Sequence, residues 1–239
     1  MRRSGDRRSF GNIQGQLSQA PDRVTSLNLS YMGLLGTISP HIGNLSFLVA
    51  LDPSNNSFSG SLPHEVSRLH RLRILLLPSN QLEGSIPPTL HNCQRLQQIH
   101  LDSNHLIGAI PSSLSNMSLL EYLNLGSNSL IGQFPLIILN ISSLTIIALQ
   151  KNQISGTLPM DLCSHFPNLH GPYLNGNKFS GRLPSQMNYC KELVVLSLSY
   201  NKLDGSIPAG YGSLEKLEKL YLGGNNLTGN IPPTVTCQG

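Results

Sequence analysis

The chain has 239 residues, of which 39% are apolar and 12% are charged, and it contains no tryptophan. The formal charge of +4 is concentrated at the start, where four arginines against Asp6 contribute +3 within the first eight residues. The rest of the chain is therefore nearly neutral, and neither its charge nor its composition indicates a nucleic-acid partner.

Residues 1–22 read MRRSGDRRSFGNIQGQLSQAPD and contain no apolar run of the kind that a secretory signal requires. We interpret them as a basic, disordered leader in preference to an arm that binds nucleic acid. The folded domain is then expected to cover 23–239.

One sequence motif is repeated throughout that domain, and the stretch LRILLLPSNQLEGSIP at 72–87 is an example of it. One asparagine recurs every 24 or 25 residues, which gives about nine repeats. A fixed period of this length with the pattern L-x-x-L-x-L-x-x-N-x-L indicates a leucine-rich solenoid. The recurring asparagines are Asn56, Asn80, Asn104, Asn128, Asn152, Asn177, Asn201 and Asn225.

Each position of the repeat has a predicted role. Leu75 and Leu77 fall on the inward face of a short strand, and Leu82 returns to the core. The asparagine between them can satisfy buried turn backbone, because its amide both donates and accepts. Gly84 is expected to adopt a conformation that a side chain would obstruct. The sequence therefore predicts an α/β-type repeat solenoid, right-handed, with a parallel concave β-sheet and short 3-10 or irregular convex segments.

Proline interrupts two of the predicted strands, at Pro53 in the second repeat and at Pro172 in the seventh. Proline cannot donate to a sheet ladder, so we expect local irregularity at both places. Between them, 136–149 reads LIILNISSLTIIAL, which is shorter than a membrane helix and contains Asn140. We interpret this window as core, so that no membrane segment is predicted. In the last repeat Leu220, Leu222 and Ile231 are expected at an exposed apolar edge, because no polar capping segment follows.

The four cysteines do not form a metal motif, since no C-x-x-C spacing occurs. Cys93 is expected to be a small buried hydrophobic residue. Cys163 and Cys190 lie in neighbouring coils and could form a disulfide on the convex side, a pairing that the sequence leaves open. Cys237 has no evident partner.

Six N-x-S/T sequons favour an ancestry in the secretory pathway, where N-linked glycans solubilise a surface. They are Asn28, Asn44, Asn55, Asn116, Asn140 and Asn226.

Catalytic motifs are absent from the sequence: there is no H-E-x-x-H, G-x-S-x-G, Walker or dinucleotide fingerprint. The eight histidines occupy unrelated positions of the repeat, which is typical of surface residues. We therefore predict a non-enzyme that requires no cofactor and no metal.

The outward positions of the predicted strands offer a binding surface instead. Nine strands about 4.8 Å apart make a face on the order of 40 Å long, which suits a peptide or a protein. Tyrosines beside a few charges are typical of such surfaces, although any one of these residues could be merely solvated. The candidate ligand-binding residues are Gln98, His100, Asp102, Tyr122, Asn124, Gln150, Lys151, Tyr173, Tyr200 and Tyr221.

With Gly two residues before Ile-Pro, the repeat resembles the plant-specific leucine-rich repeat. The chain is most similar to plant receptor-like kinase ectodomains, in particular the group that contains immune receptors for bacterial proteins. Three segments carry this resemblance: RVTSLNLS at 23–30, GTISPHIGNLSFL at 36–48 and DLCSHFPNL at 161–169. The resemblance implies a non-catalytic module for a peptide or protein ligand, or for a co-receptor kinase ectodomain, in plant immune or developmental signalling.

The resemblance also implies an extracellular or plasma-membrane-attached location, although the chain as written has no signal peptide. Related ectodomains begin with a signal peptide and a cap that carries a cysteine pair and a tryptophan, and neither is found here, so a fragment of a longer receptor is expected. Two alternatives stay open. One is a free-standing extracellular inhibitor of cell-wall-degrading enzymes, similar to polygalacturonase inhibitors, and the other is a truncated remnant with no ligand.

Overall fold

The protein is a solenoid of stacked coils, and the computed structural model describes residues 23–236. Each coil contributes one short strand to a nine-stranded sheet and, after the turn, a second short strand on the lateral side. Strands are numbered along the chain, so that odd numbers belong to the first sheet and even numbers to the lateral side.

All nine strands of the concave sheet are parallel and pair in chain order, as the repeat predicted. They are β1 (Ser26–Asn28), β3 (Ala50–Asp52), β5 (Ile74–Leu76), β7 (Gln98–His100), β9 (Tyr122–Asn124), β11 (Ile146–Ala148), β13 (Gly171–Tyr173), β15 (Val195–Ser197) and β17 (Lys219–Tyr221).

The lateral strands were not predicted, and they form two sheets, one of five strands and one of four, with the isolated bridge Gln133–Ser155 between them. They are β2 (Leu35–Thr37), β4 (Ser57–Ser61), β6 (Gln81–Ser85), β8 (His105–Gly108), β10 (Ser129–Leu130), β12 (Ser155–Thr157), β14 (Lys178–Arg182), β16 (Lys202–Gly205) and β18 (Asn226–Leu227).

Short helices form the convex side. Seven of those described are 3-10 helices: η1 (Pro40–Asn44), η2 (His64–Arg68), η3 (Pro88–Asn92), η4 (Ser112–Asn116), η5 (Leu136–Asn140), η6 (Met187–Tyr189) and η7 (Ala209–Ser213). Two are single α-helical turns, α1 (Leu162–His165) and α2 (Pro233–Thr236).

The core is a stack of aliphatic side chains from successive coils. Leu75, Ile99 and Leu123, the middle residues of β5, β7 and β9, are at most 1% exposed. The lateral strand β6 adds Leu82, which is also buried, and Gly84 in the same strand adopts a φ of 76°, as expected from the repeat. Burying these side chains is the main stabilising term, because a single coil is too small to exclude water from both sides of its own aliphatic residues.

The recurring asparagines connect the coils through their side chains. The Oδ1 of Asn104 accepts from the backbone N–H of Leu82 in the preceding coil at 2.9 Å. Its Nδ2 donates to the backbone oxygen of Leu77 at 2.9 Å and to that of Leu101 in its own coil at 3.1 Å. The other seven asparagines repeat this pattern, so the expected role of the amide is confirmed.

Both prolines reduce the backbone pairing between neighbouring strands, as expected for a residue that has no N–H to donate. The residue that follows the strand normally donates to the next coil, as Leu77 does to the backbone oxygen of His100 at 2.8 Å. Pro53 holds that position and has no N–H, and β3 pairs with β5 over two residues instead of three. At Pro172 the pairing of β13 with β15 is reduced to Tyr173 opposite Ser197.

The apolar window at 136–149 contains η5 and β11, and six of its 14 residues are buried. Leu144, Ile147 and Leu149 are buried. The interpretation was wrong for the first two residues: Leu136 is 58% exposed and Ile137 is 36% exposed. They lie in the first turn of a convex 3-10 helix, where three residues per turn leave only one side of a short helix to face the core.

Cysteines and chain ends complete the fold. The sulfur atoms of Cys163 and Cys190 are bonded, which ties α1 to the residue after η6. Cys93 is buried and free. In the last coil Leu220 and Leu222 are half-buried and Ile231 is exposed. The leader predicted for residues 1–22 and Cys237 lie outside the described residues.

Candidate functional site

Six of the ten candidate ligand-binding residues lie on or directly beside three strands of the concave sheet, β7, β9 and β13, and face outward. We call Gln98, His100, Asp102, Tyr122, Asn124 and Tyr173 the central patch. The core of this patch spans two neighbouring strands, β7 and β9, with Gln98 opposite Tyr122 and His100 opposite Asn124. Alternation along a strand sends these side chains outward because the residues between them are buried.

Aromatic stacking joins the two strands diagonally. The rings of His100 and Tyr122 lie 4.5 Å apart between centroids, with an angle of 10° between their planes. Side chains at diagonal positions of adjacent strands are within reach when they are large. Both residues are half-buried, so part of each side chain remains exposed to solvent.

A hydrogen bond joins the same strands on their polar side. Asn124 donates from Nδ2 to Oδ1 of Asp102 at 2.8 Å. Its Oδ1 accepts from the backbone N–H of Gly126 at 3.1 Å, so both ends of the amide are fixed. The Asp102 carboxylate retains free acceptor positions beyond this bond, because an ionised carboxylate accepts up to four hydrogen bonds.

The electrostatics of the central patch follow from partial burial. Burial lowers the pKa of His100, and the negative charge of Asp102 opposes this. Burial raises the pKa of Asp102, opposed by a backbone hydrogen bond and by His100. The pKa of Tyr122 is raised, first by burial and then by the nearby Tyr173 and Asp102. His100 is therefore favoured as a neutral ring at neutral pH.

Tyr173 closes the patch on the side of β13. A side chain at Gly171 would meet its ring, since a Cβ there would lie 2.7 Å from Cε2 of Tyr173. The ring thus lies along its own strand, over a residue without a side chain. On β11, which lies between the two tyrosines, Ile146 is the register partner of Tyr122, and the small, buried Ala148 is the register partner of Tyr173.

Four other candidates lie away from this patch. Gln150 folds over Gly126, and its buried Oε1 has no hydrogen-bond partner among the described residues. Lys151 and Tyr200 occupy the turn after the strand with φ of 54° and 55°. Tyr200 is 73% exposed and covers Gly224, while Tyr221 lies on β17 at the far end of the sheet. The ten candidates therefore do not form a single site.

Two further outward residues belong to the same face and were not among the candidates. Ser197 donates from its hydroxyl to Oδ1 of Asn175 at 3.0 Å, and Ser197 is the register partner of Tyr173. These short polar side chains extend the polar row beyond Tyr173. Their position in the repeat marks both residues as outward-facing, but small side chains carry little signal for binding.

The sequons divide into two environments. Asn28, Asn44, Asn116, Asn140 and Asn226 are exposed. Asn55 is half-buried and has a φ of 53° in the turn at the edge of the concave sheet.

Comparison with known proteins agrees with this geometry. The Leucine Rich Repeat family model matches residues 71–93, 95–117, 192–214 and 216–237. The chain carries leucine-rich repeats. It is 54% identical over 52 residues to the LRR receptor-like serine/threonine-protein kinase EFR of Arabidopsis thaliana, a match that covers 22% of the chain and 5% of that kinase.

Leucine-rich-repeat ectodomains of plant receptors share its structure. The ectodomain of the receptor kinase GASSHO1/SCHENGEN3 from Arabidopsis thaliana, in complex with CASPARIAN STRIP INTEGRITY FACTOR 2, is 34% identical with a TM-score of 0.87. The Arabidopsis receptor kinase HAESA, in complex with the peptide hormone IDA and the co-receptor SERK1, is 32% identical with a TM-score of 0.84. These matches cover 90% and 91% of this chain, but only 26% and 37% of those chains.

Within 23–236 no helix combines the length and apolar character needed to cross a membrane. No cluster of three or more His, Cys, Asp or Glu side chains is arranged to hold a metal ion in that same range.

Proposed function

We propose that this chain is a non-catalytic recognition module of a plant receptor and that its central patch binds an extended peptide or protein segment. The observation that carries the proposal is the paired arrangement across β7 and β9. A stacked His100 and Tyr122 stand beside Asp102 and Asn124, which are held by their own hydrogen bond. Side chains that are already ordered lose little conformational entropy when a ligand arrives.

The chemistry of the central patch suits a peptide with mixed character. Tyr122 and Tyr173 offer large amphipathic rings, which are common anchors at interfaces. Asp102 and Asn124 offer an acceptor and a donor to a backbone that lies across the strands. A segment of about six residues, each spanning roughly 3.3 Å, would cover the four strands from β7 to β13.

The structural neighbours support a peptide ligand and a protein partner. Three of them are receptors in complex with CASPARIAN STRIP INTEGRITY FACTOR 2, with RGF2, and with IDA together with the co-receptor SERK1. By this analogy we propose a peptide hormone or protein ligand and a co-receptor kinase ectodomain as partners. The corresponding location is extracellular or attached to the plasma membrane, in immune or developmental signalling.

The proposal is tested with a displayed library of random peptides. The chain is panned against the library, and the affinity of the selected peptides is measured by calorimetry. The double variant Tyr122→Ala/Tyr173→Ala is expected to weaken binding by at least about tenfold, because each buried aromatic anchor typically contributes more than 1 kcal/mol. Tyr189→Ala removes an exposed tyrosine from the convex side and is the matched control.

Unchanged affinity in the double variant, with its circular dichroism spectrum preserved, contradicts the placement of the site. A library that yields no peptide competing for the concave face contradicts the function itself. Inhibition of a polygalacturonase by the unmodified chain, through residues outside the central patch, would instead favour the free-standing inhibitor.

A further inference from the structure

Three of the six sequon asparagines occupy the same position in their coils. Asn44 ends η1, Asn116 ends η4 and Asn140 ends η5, and each of these helices is five residues long. All three asparagines are exposed. Because the convex helices stack coil upon coil, the three side chains fall on one line along the convex edge, with Asn116 and Asn140 in adjacent coils.

The local backbone presents each of these sequons outward. Met117 and Ile141, the middle residues of two of them, are fully buried and anchor the chain. The flanking asparagine and the flanking serine, Ser118 or Ser142, are both exposed. The amide nitrogen that would carry the sugar and the hydroxyl of the sequon therefore face solvent together.

Asn55 is different. Its sequon continues through Asn56, whose side chain is committed to the ladder through bonds such as that from Nδ2 to the backbone oxygen of Leu29 at 2.8 Å. Ser57 begins β4 and is half-buried. A sugar on Asn55 would project from a left-handed turn at the edge of the concave sheet.

Exposed aliphatic side chains accompany two of the convex sequons. Ile137 precedes Asn140 by three residues in a 3-10 helix, where such side chains are eclipsed and share one face. Leu136 lies beside it, and Leu119 directly follows Ser118. An N-linked glycan is bulky and solubilising, so one on each asparagine would cover these residues.

From these observations we propose that Asn44, Asn116 and Asn140 carry N-linked glycans when the chain passes through the secretory pathway, and that Asn55 does not. The sugars form a row on the convex edge and leave the central patch open. Partners are then confined to the concave and lateral faces. The inference is independent of any particular ligand.

The test is glycopeptide mass spectrometry on the chain secreted from plant cells behind a heterologous signal peptide. We expect glycans at Asn44, Asn116 and Asn140 and an unmodified Asn55 in the same molecules. Ser118→Ala and Ser142→Ala should each remove one glycan. The Ser142→Ala protein should also form more aggregate, because Leu136 and Ile137 lose their cover.

A matched gain-of-function variant tests the position directly. Asn92 ends η3 just as Asn116 ends η4, but it is followed by Cys93 and Gln94 and is not a sequon. Gln94→Ser creates a sequon at this position and should add a glycan at Asn92.

The proposal is overturned if Asn116 and Asn140 are unmodified, or if Asn55 is occupied to the same extent. Peptide affinity, measured separately, is expected to stay unchanged in the Ser118→Ala and Ser142→Ala variants, so the two proposals fail independently.

Discussion

The imidazole of His100 lies parallel to the phenol ring of Tyr122, although the two residues are diagonal and not directly opposite on their strands. Each ring restricts the rotamers of the other, so two flexible side chains become one rigid element. That element stands next to the Asp102–Asn124 hydrogen bond, and together they give the patch a fixed arrangement of apolar and polar groups.

Stability should depend on pH through His100. Because burial lowers its folded pKa, the folded chain binds the proton less readily than the unfolded chain. The stabilising contribution is present above the unfolded pKa and is lost as pH falls through that value toward the folded one. The contribution of Asp102 to stability has the opposite pH dependence. Its folded pKa is raised above its unfolded pKa, so the contribution is lost as the pH rises from the unfolded pKa through the folded pKa.

Urea unfolding at neutral and at mildly acidic pH measures this effect. His100→Phe keeps a ring for stacking but cannot be protonated, so the variant should lose less stability on acidification than the unmodified chain. His41→Phe, on an exposed position of η1, is the control. An identical acid-side loss in both variants would contradict the role assigned to His100.

Replacing one ladder asparagine should destabilise the solenoid strongly. Asn104→Ala leaves the N–H of Leu82 and the backbone oxygen of Leu77 buried without this partner. Each unsatisfied buried group costs about 1–3 kcal/mol, so we expect a loss of about 2–4 kcal/mol in the free energy of unfolding. Equilibrium denaturation measures it. Asn92→Ala, at an exposed convex position, should change stability by less than about 0.5 kcal/mol.

The disulfide should contribute through the loop that it closes. Cys163 and Cys190 are separated by 27 residues, for which a loss of about 2–4 kcal/mol is expected when the crosslink is removed. The variant Cys163→Ala/Cys190→Ala should melt at a lower temperature than the oxidised chain. A reductant should lower the melting temperature of the unmodified chain and leave that of the variant unchanged. A reductant effect of equal size on both would show that the crosslink is not responsible.

Cys93 should be chemically inert in the folded chain. Burial raises the pKa of its thiol to about 12, and its Sγ contacts the backbone oxygen of Val66 at 3.2 Å. Because the thiolate is the nucleophile, iodoacetamide should leave the Cys93 peptide unmodified under native conditions and modify it fully in urea. Peptide-level mass spectrometry distinguishes this cysteine from the others. Rapid native alkylation at Cys93 would contradict its burial.

The fold was largely readable from the sequence because each coil repeats the same physical solution. Leu75 and Asn104 have equivalents in other coils, so one local interpretation applied throughout. The lateral strands escaped prediction, since two to five residues beside a glycine carry no alternating pattern. Leu136 and Ile137 were misplaced because an apolar side chain was taken as evidence of burial, whereas a 3-10 helix has room for only part of its residues against the core.

The site was less predictable than the fold. Outward positions such as Gln98 and Tyr173 followed from the alternation along each strand. The stack of His100 on Tyr122 depends on side-chain rotamers across two coils, which no pattern within one repeat encodes. The left-handed turns at Lys151 and Tyr200 directly precede the recurring asparagines Asn152 and Asn201, whereas local propensity would favour glycine at such positions.

The ladder also sets an order of events during synthesis. Asn104 lies 22 residues after Leu82, the residue whose amide it satisfies, and the same offset holds for most of the other pairs. A coil leaving the ribosome therefore cannot complete its own turn until the next coil has emerged. The last coil to emerge therefore always has an incomplete turn. A pause in translation at that point would leave the backbone groups of this one turn without their asparagine partner until the next coil is made.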